Sequence, residues 1–318
     1  MSARPRVAVI GGGQSCEHEV SLASAASVAG ALDPAAYDVV RLTIDPHGIW
    51  LDGGHRPIGL SGAAHVLRGC DVVLPVVHGP RGEDGTLAAL CDLAGLPYVG
   101  SGVGAGALAM DKWATKLVAE AVGIRTAPAV LLTAATAPTY LWTHPVVVKP
   151  VAAGSSHGVS LVERPEQLAE ALDAALALDD RVLVEDLLVG REVDIAVIAR
   201  PDGSRLPSPP LEVVVDGLFD HDAKYGGGAD FRVPAALTEA EGKAVEDAAL
   251  AVFDALGCRG VARVDFFVTD TGVVLNEVNT MPGFTAHSQV PRMYAAAGLP
   301  YPALLDLLVR DALATPCG

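Results

Sequence analysis

Residues 261–288 read VARVDFFVTDTGVVLNEVNTMPGFTAHS, two strand-like runs joined by a short polar turn. In the first run Arg263, Asp265 and Phe267 alternate with Val264, Phe266 and Val268, the two-residue period of a strand. The second run, 273–279, is equally rich in strand formers, and Thr269-Asp270-Thr271-Gly272 suits a type I turn closed by a left-handed glycine. Such a hairpin pairs Thr269 with Val273, and counting inward sets Asp265 opposite Glu277 and Arg263 opposite Asn279. Opposed residues carry Cβ atoms roughly 4.5–5.5 Å apart. Two carboxylates at about 5 Å, in an effective dielectric of about 20, repel by roughly 3 kcal/mol. A hard divalent cation converts that repulsion into coordination, because Mg²⁺ takes one or two carboxylates and fills its shell with water and phosphate oxygens. Asn279 adds a neutral carbonyl ligand, and Arg263 a fixed positive charge beside the metal. The pattern points to Mg²⁺ carrying a polyphosphate. The plainer alternative is a hairpin whose acids face water.

A chain of 318 residues suggests two or three domains, and 51% hydrophobic against 19% charged residues describes a globular protein. With 22 basic and 38 acidic residues the formal charge is −16, which argues against nucleic acid or an anionic membrane as partner. No apolar run reaches the roughly 18–20 residues of a membrane span. The start, MSARPRVAVIGGG, lacks a signal peptide's long apolar region, and the five cysteines (Cys16, Cys70, Cys91, Cys258, Cys317) form no C-x-x-C. Both features predict a cytoplasmic protein with reduced thiols.

Residues 6–10 form a predicted strand that meets Gly11-Gly12-Gly13, followed by a helix to about Leu32. Further strands are expected over 37–44 and 71–77, and a helix over 85–93 behind Asp84 as N-cap. Alternating strands and helices predict a parallel, doubly wound sheet with ligands at the carboxyl ends of its strands. Two motifs sit there, GGGQSCEHEVS (11–21) and HGPRGEDG (78–85). A nicotinamide fingerprint would need glycine at position 16, where Cys16 stands. Glu17, His18 and Glu19 suit a cationic neighbour such as an ammonium better than a dinucleotide's phosphates.

Beyond residue 101, helices are expected over 108–112 and 113–121. Val146-Val147-Val148-Lys149-Pro150 reads as a buried strand, and the loop Ala152-Ala153-Gly154-Ser155-Ser156-His157-Gly158 offers N–H and hydroxyl donors to phosphate oxygens. Lys149 at the strand's end can reach phosphate or simply water. Helices over 165–178 and 238–256 and a strand over 182–186 complete the outline. Between them, DGLFDHDAKYGGGADFRVP (216–234) reads as an irregular, mobile lid, or as an ordinary surface loop.

With those residues in view, the chain resembles the D-alanine–D-alanine ligases of the ATP-grasp superfamily along almost its whole length. The blocks that carry the likeness are GGGQSCEHEVS, HGPRGEDGT, ALAMDKWATK, VVVKPVAAGSSHGVS, LVEDLLVGREV, FDHDAKY, ARVDFF and NEVNTMPGFTAHS, in that order. The resemblance implies a three-domain α/β ATP-grasp fold. An N-terminal doubly wound parallel-sheet domain would span 1–101, a central subdomain 102–186, and a C-terminal subdomain 187–318 with the metal site and lid. It implies ATP and two Mg²⁺ ions, with Mn²⁺ able to substitute. Lys112 and Lys149 match lysines on the phosphates, and Glu185, Leu188, Glu192 and Phe219 the nucleoside contacts. Asp265, Glu277 and Asn279 match the metal ligands, in agreement with the hairpin register. Arg263 and the backbone N–H of Gly283 match the oxyanion donors. Glu17 matches the residue at the first substrate's ammonium, with Ser155 and Tyr225 completing its network. Lys224 and Ser288 match the clamp on the second substrate's carboxylate, and His78 would lie near the amino-acid site.

The expected activity is ATP-dependent joining of two D-alanines through an acyl phosphate, for peptidoglycan precursors, by a protein that forms homodimers. Lys224-Tyr225 favours a dipeptide over the ester products of vancomycin-resistance ligases, which lack this pair. The chain departs from the family pattern at Ala152, Ala153 and His157 in the glycine loop. It departs again at His221 and at Gln289, where an apolar residue is common. These departures leave room for a related amino-acid ligase with other substrates, in antibiotic biosynthesis or self-resistance. A non-catalytic nucleotide-binding protein is the alternative of another class.

Overall fold

The computed structural model describes residues 4–214 and 230–315. Its strands form three sheets. The first has the order β3-β2-β1-β4, with β1 (Arg6–Gly12), β2 (Asp38–Ile44) and β4 (Val72–Pro75) parallel and β3 (Trp50–Leu51) antiparallel at the edge. The crossovers are α1 (His18–Ala31) and α2 (Gly59–Leu67), as the alternating pattern predicts. Helix α3 (Thr86–Ala94) differs from expectation at its start. Gly85, at φ 91°, takes the N-cap position, while the Asp84 carboxylate accepts the Thr86 N–H at 3.0 Å. The left-handed turn needs glycine there, and a Cβ would lie 2.7 Å from the Val103 carbonyl oxygen.

Next come α4 (Val103–Met110) and α5 (Lys112–Ala121). Lys112 opens the second helix instead of ending the first, because the Asp111 side chain caps the N–H of Ala114 at 2.9 Å. The second sheet is antiparallel, with order β5-β8-β6-β7: β5 Ala129–Thr133, β6 Val146–Pro150, β7 Ser160–Val162 and β8 Arg181–Asp186. Helix α6 (Leu168–Leu176) covers one face of it.

The third sheet runs β12-β11-β9-β13-β14, with β10 (Arg205–Pro207) beside β9 (Arg191–Ala199). Strands β11 (Leu211–Val214) and β12 (Asp230–Arg232) pair antiparallel, so residues 230–232, expected to be irregular, are a strand. The rest of the expected lid, with Phe219, His221, Lys224 and Tyr225, lies outside the described residues, as does Cys317. The other four cysteines are free thiols. Helix α7 (Glu239–Ala255) packs Val245, Ala249, Val252 and Phe253 against Val264, Phe266 and Val268 of β13 (Val261–Thr269). The apolar half of the alternating strand thus faces the core, and the charged half faces away.

The β13–β14 hairpin, with β14 spanning Gly272–Asn279, departs from the expected turn but not from the expected site register. Thr269 pairs with Gly272, not Val273, and the pairing continues one residue out of step as far as Phe266 with Leu275. An extra residue, Asn276, then shifts the register, and beyond it Asp265 faces Glu277 and Arg263 faces Asn279.

Helices α8 (Gln289–Ala296) and α9 (Tyr301–Ala314) return the chain to the first sheet. Leu304, Leu308 and Met293 share one core with Val7, Val9 and Leu74, so the first and third sheets are fixed to each other. The Tyr37 hydroxyl donates to Asp306 Oδ1 at 2.6 Å across the same junction.

The start of α7 is a reciprocal cap. Thr238 Oγ1 accepts from Glu241 N at 3.2 Å, and Glu241 Oε2 accepts from Thr238 N at 2.7 Å. Thr238→Ala should cost about 1 kcal/mol at that turn and speed hydrogen exchange over 239–242 about fivefold. Exchange within twofold of the parent would show that the cap does not hold the helix.

Candidate active site

Sheets two and three face each other across a cavity of about 490 Å³. Lys149 and Glu185 reach it from one side, Glu192, Phe267, Asn276 and Glu277 from the other, with Lys112, His157 and Leu188 also lining it. Its size lies in the range of small-molecule sites.

Lys149 does not end its strand in water. It is 5% exposed, and its Nζ lies 2.6 Å from Glu185 Oε2 and 3.3 Å from Asn276 Oδ1. Glu185 also accepts from Lys116 Nζ at 2.7 Å. Burial alone would raise the Glu185 carboxyl, but the two ammonium groups outweigh it and hold the carboxyl below its ordinary range. Burial in turn lowers Lys116, against the pull of Glu185. Two lysines on one carboxylate leave a surplus positive charge in the cavity wall, suited to a polyanion. The sequence signal for Lys116 is its four-residue spacing from Lys112, which places both on one helix face. Lys112 pairs with Glu277 Oε2 at 3.3 Å and donates to the Ala153 carbonyl at 2.7 Å.

The expected metal ligands converge, but the acids are not bare. Asp265, 3% exposed, is gripped by Arg263 through Nε to Oδ1 at 2.7 Å and Nη2 to Oδ2 at 2.7 Å. Asn279 Nδ2 donates to Asp265 Oδ2 at 3.0 Å. The carboxylates therefore face neither water, as the plain hairpin would have it, nor each other without compensation. Repulsion alone does not demand a metal here. The donor set still fits one. With Arg263 and Asn279 hydrogen-bonded to Asp265, its Oδ1 keeps a lone pair, Asn279 keeps its carbonyl oxygen, and Glu277 presents a carboxylate at the cavity.

A third acid was missed. Asp194, 1% exposed, lies on β9 directly opposite Asp265. Its only signal in the sequence is an acid two residues after Glu192 in an apolar strand. Burial pulls Arg263 down, but Asp265, Asp194 and Glu277 outweigh it and raise the guanidinium well above its ordinary range.

The N-terminal motifs close the site from the first sheet. Glu17, 8% exposed, accepts from Ser155 Oγ, and its Oε2 is buried without a hydrogen-bond partner among the described residues. Ser155 and Ser156 turn back at φ 51° and 54°, a left-handed conformation that costs roughly 1–2 kcal/mol per non-glycine residue. Gly154 allows the approach, since a Cβ there would sit 2.3 Å from Glu17 Oε2.

His78 differs from expectation. It lies 2% exposed behind the site, with Nδ1 donating to the Met281 carbonyl at 2.8 Å and Nε2 accepting from Ser24 Oγ at 3.0 Å. Both ring nitrogens are occupied, so it positions the 281–284 loop and has none left for a substrate. Burial keeps it neutral by lowering its pKa. The Gly283 N–H makes no hydrogen bond to a described residue and stands beside Ser288, whose Oγ accepts from Thr285 N at 3.0 Å.

Glu83, within the GEDG motif, was also passed over. Its Oε1 accepts the Gly79 N–H at 2.6 Å, and Oε2 lies 3.4 Å from Met281 N. The side chain keeps some surface open to the cleft, yet burial and then the Glu17 carboxylate push its pKa up to about 8. The folded chain therefore holds a proton that the unfolded chain loses near 4.5. Its contribution to stability is complete below that value and is lost as pH rises through about 8. In metal-free protein this group should make Tm fall from about pH 5 to about pH 8 and level off above, and Glu83→Gln, neutral throughout, should flatten the slope. An unchanged slope would show that Glu83 is ionised across that range.

The family model described as D-ala D-ala ligase C-terminus matches residues 120–310, and its N-terminus counterpart matches 6–63 and 52–101. A D-alanine–D-alanine ligase from Mycolicibacterium vanbaalenii is 41% identical over 365 aligned positions covering 100% of both chains. One from Corynebacterium aurimucosum is 42% identical over 347 positions, covering 97% of this chain and 98% of the relative. Among solved structures, the VanG D-Ala:D-Ser ligase from Enterococcus faecalis superposes with a TM-score of 0.86 at 32% identity, covering 98% of this chain and 100% of that one. The D-alanine–D-alanine ligase from Coxiella burnetii gives 0.82 at 34% identity, covering 98% and 95%. On this agreement of sequence and fold, the chain belongs to the D-alanine–D-alanine ligase family.

Proposed function

We propose that the chain joins two D-alanine molecules with ATP, through an acyl phosphate, to supply a peptidoglycan precursor. The observation that carries the reading is the meeting, around one cavity, of Lys112 and Lys149 with Glu277. Lys116 backs the first wall through Glu185, and Asp265 and Asn279, with Arg263, stand beside Glu277 on the hairpin behind the second. The first wall suits the phosphates of ATP, with Glu185, Leu188 and Glu192 beside the nucleoside. The second would hold Mg²⁺, which when bound neutralises phosphate oxygens. Phe219, Lys224 and Tyr225, outside the described residues, keep the nucleoside, carboxylate and closing roles that the family resemblance implies.

The carboxylate of the first D-alanine attacks the γ-phosphoryl group and ADP leaves, a transfer that rests on positioning and charge neutralisation. Glu17 Oε2, buried and without a hydrogen-bond partner among the described residues, receives that substrate's ammonium. The second D-alanine, its carboxylate near Ser288, gives its ammonium proton to solvent and attacks the acyl carbon as the free amine. Arg263 and the Gly283 N–H donate to the tetrahedral oxyanion, which collapses to the amide as phosphate departs. In this reading the chain divides at about residues 101 and 186, works in the cytoplasm, and pairs as a homodimer. No helix among the described residues is long and apolar enough to cross a membrane.

Phosphate release with D-alanine as the sole amino acid is the direct test, with the product identified by mass. Release only when another amino acid, such as D-serine, is supplied would overturn the alanine assignment. Arg263→Lys, which keeps the charge but not the fork, should lower kcat about 10²–10³-fold at nearly constant KM for ATP. Undiminished kcat would remove Arg263 from the oxyanion role. Glu277→Gln should raise the Mg²⁺ concentration for half-maximal rate by at least about tenfold. An unchanged Mg²⁺ titration would take Glu277 out of the ligand set.

A further inference from the structure

Gln289 is the first residue of α8, one position after Ser288. Its side chain turns back onto the third sheet. Oε1 accepts from Arg263 Nη1 at 2.5 Å, and Nε2 donates to Asp194 Oδ2 at 2.7 Å. The reverse amide orientation would set the carbonyl against the carboxylate and the amino group against the guanidinium.

Arg263 sits between two buried acids on neighbouring strands. Its Nε is 2.7 Å from Asp265 Oδ1 and 3.7 Å from Asp194 Oδ2. A guanidinium so placed has two competing pairings, and a swing towards Asp194 would turn its remaining N–H bonds away from the Asp265 side. Gln289 removes the competition, because its amide hydrogen occupies an oxygen of Asp194 while its carbonyl ties down Nη1. A primary amide of this length offers both a donor and an acceptor. Leucine or methionine would offer neither, and glutamate would set a second anion against Asp194.

We propose that Gln289, anchored by Asp194, is a positioning residue that locks Arg263 in the side-on pairing with Asp265, so that one N–H on each terminal nitrogen points to the forming oxyanion. The polar group at position 289, where the family commonly carries an apolar residue, is thus engaged by Arg263 and Asp194. The inference rests on the oxyanion role given to Arg263 under the proposed function.

The test uses the full chain with Gln289→Met, Gln289→Asn, Asp194→Asn and the Gln289→Met/Asp194→Asn pair. Gln289→Met should lower kcat for dipeptide formation at least about tenfold, with KM for ATP within twofold. Exchange of ¹⁸O between the β,γ-bridging and β-non-bridging positions of ATP, which reports reversible formation of the acyl phosphate, should persist. Gln289→Asn, one methylene short, should fall between Gln289→Met and the parent. The double variant should cost no more than Gln289→Met alone, since the latch is already broken.

A kcat for Gln289→Met within twofold of the parent, or costs that multiply in the double variant, would overturn the latch. A second readout does not depend on turnover. The Arg263 side-chain Nε–H resonance, assigned by its loss in Arg263→Lys, should be single and slow to exchange in the parent and broadened in Gln289→Met and Gln289→Asn. An identical resonance in all three would likewise overturn it. A parent that releases no phosphate with D-alanine would instead sink the ligase reading, and the resonance would then decide the latch by itself.

Discussion

Three acids stand in a row on adjacent strands, Asp194 on β9, Asp265 on β13 and Glu277 on β14, and the site depends on how their charge is balanced. Withdrawing one carboxylate from water costs several kcal/mol even after relaxation. Arg263 answers Asp265 and leans towards Asp194, and Lys112 answers Glu277. Among the described residues one cation is shared by the first two acids, so the described charges at that end of the row sum to a negative value. Across the cavity the imbalance has the opposite sign, with Lys116 and Lys149 sharing Glu185. A protein of formal charge −16 thereby gathers a local positive surplus where a triphosphate would lie, and a local negative one where a metal would lie.

That arrangement depends on one extra residue. Had the hairpin continued from Thr269–Gly272 without interruption, Glu277 would have paired with Val264 and turned into the apolar core, with Val278 on the charged face. The bulge at Asn276 moves Glu277 and Asn279 onto the site face and returns Val278 to the core beside Val264. Asn276 is not idle either, since its Oδ1 lies 3.3 Å from Lys149 Nζ across the cavity. A single insertion thus sets the ligand face and ties the two walls together.

Much of this was legible in the sequence because it is written in short periods. Alternation in β13 gave its two faces, glycine turns gave the breaks, and the ordered motifs gave the family. The pairing of Asp265 with Glu277 was anticipated, but from a turn that does not form. A three-residue turn and a two-residue turn followed by a bulge place those acids identically, and strand composition does not distinguish them. Contacts between elements distant in the chain were not legible. Lys116 reaches Glu185 across 69 residues and Gln289 reaches Asp194 across 95, spans that no local pattern encodes. Glu83 was hidden by its neighbour, because Asp84 looked like a helix cap and drew the reading of the motif to itself.

The first sheet is more than a platform beside this chemistry. A relay runs from the Phe284 N–H to Ser24 Oγ at 3.2 Å, on to His78 Nε2 at 3.0 Å, and from His78 Nδ1 to the Met281 carbonyl at 2.8 Å. Each link uses a neutral imidazole with its proton on Nδ1, the form that burial enforces. An imidazolium would put a second proton on Nε2, where Ser24 Oγ would have to accept from it and release its own proton from the chain. The relay brackets Gly283, so the direction of that N–H is set by helix α1 and by the strand end that carries His78. The same N-terminal region supplies Glu17, so the two ends of the amide-forming step, the first substrate's ammonium and the oxyanion, would be measured from one rigid sheet. That explains in physical terms why a region lying outside the two cavity walls is fused to the third sheet by a continuous core.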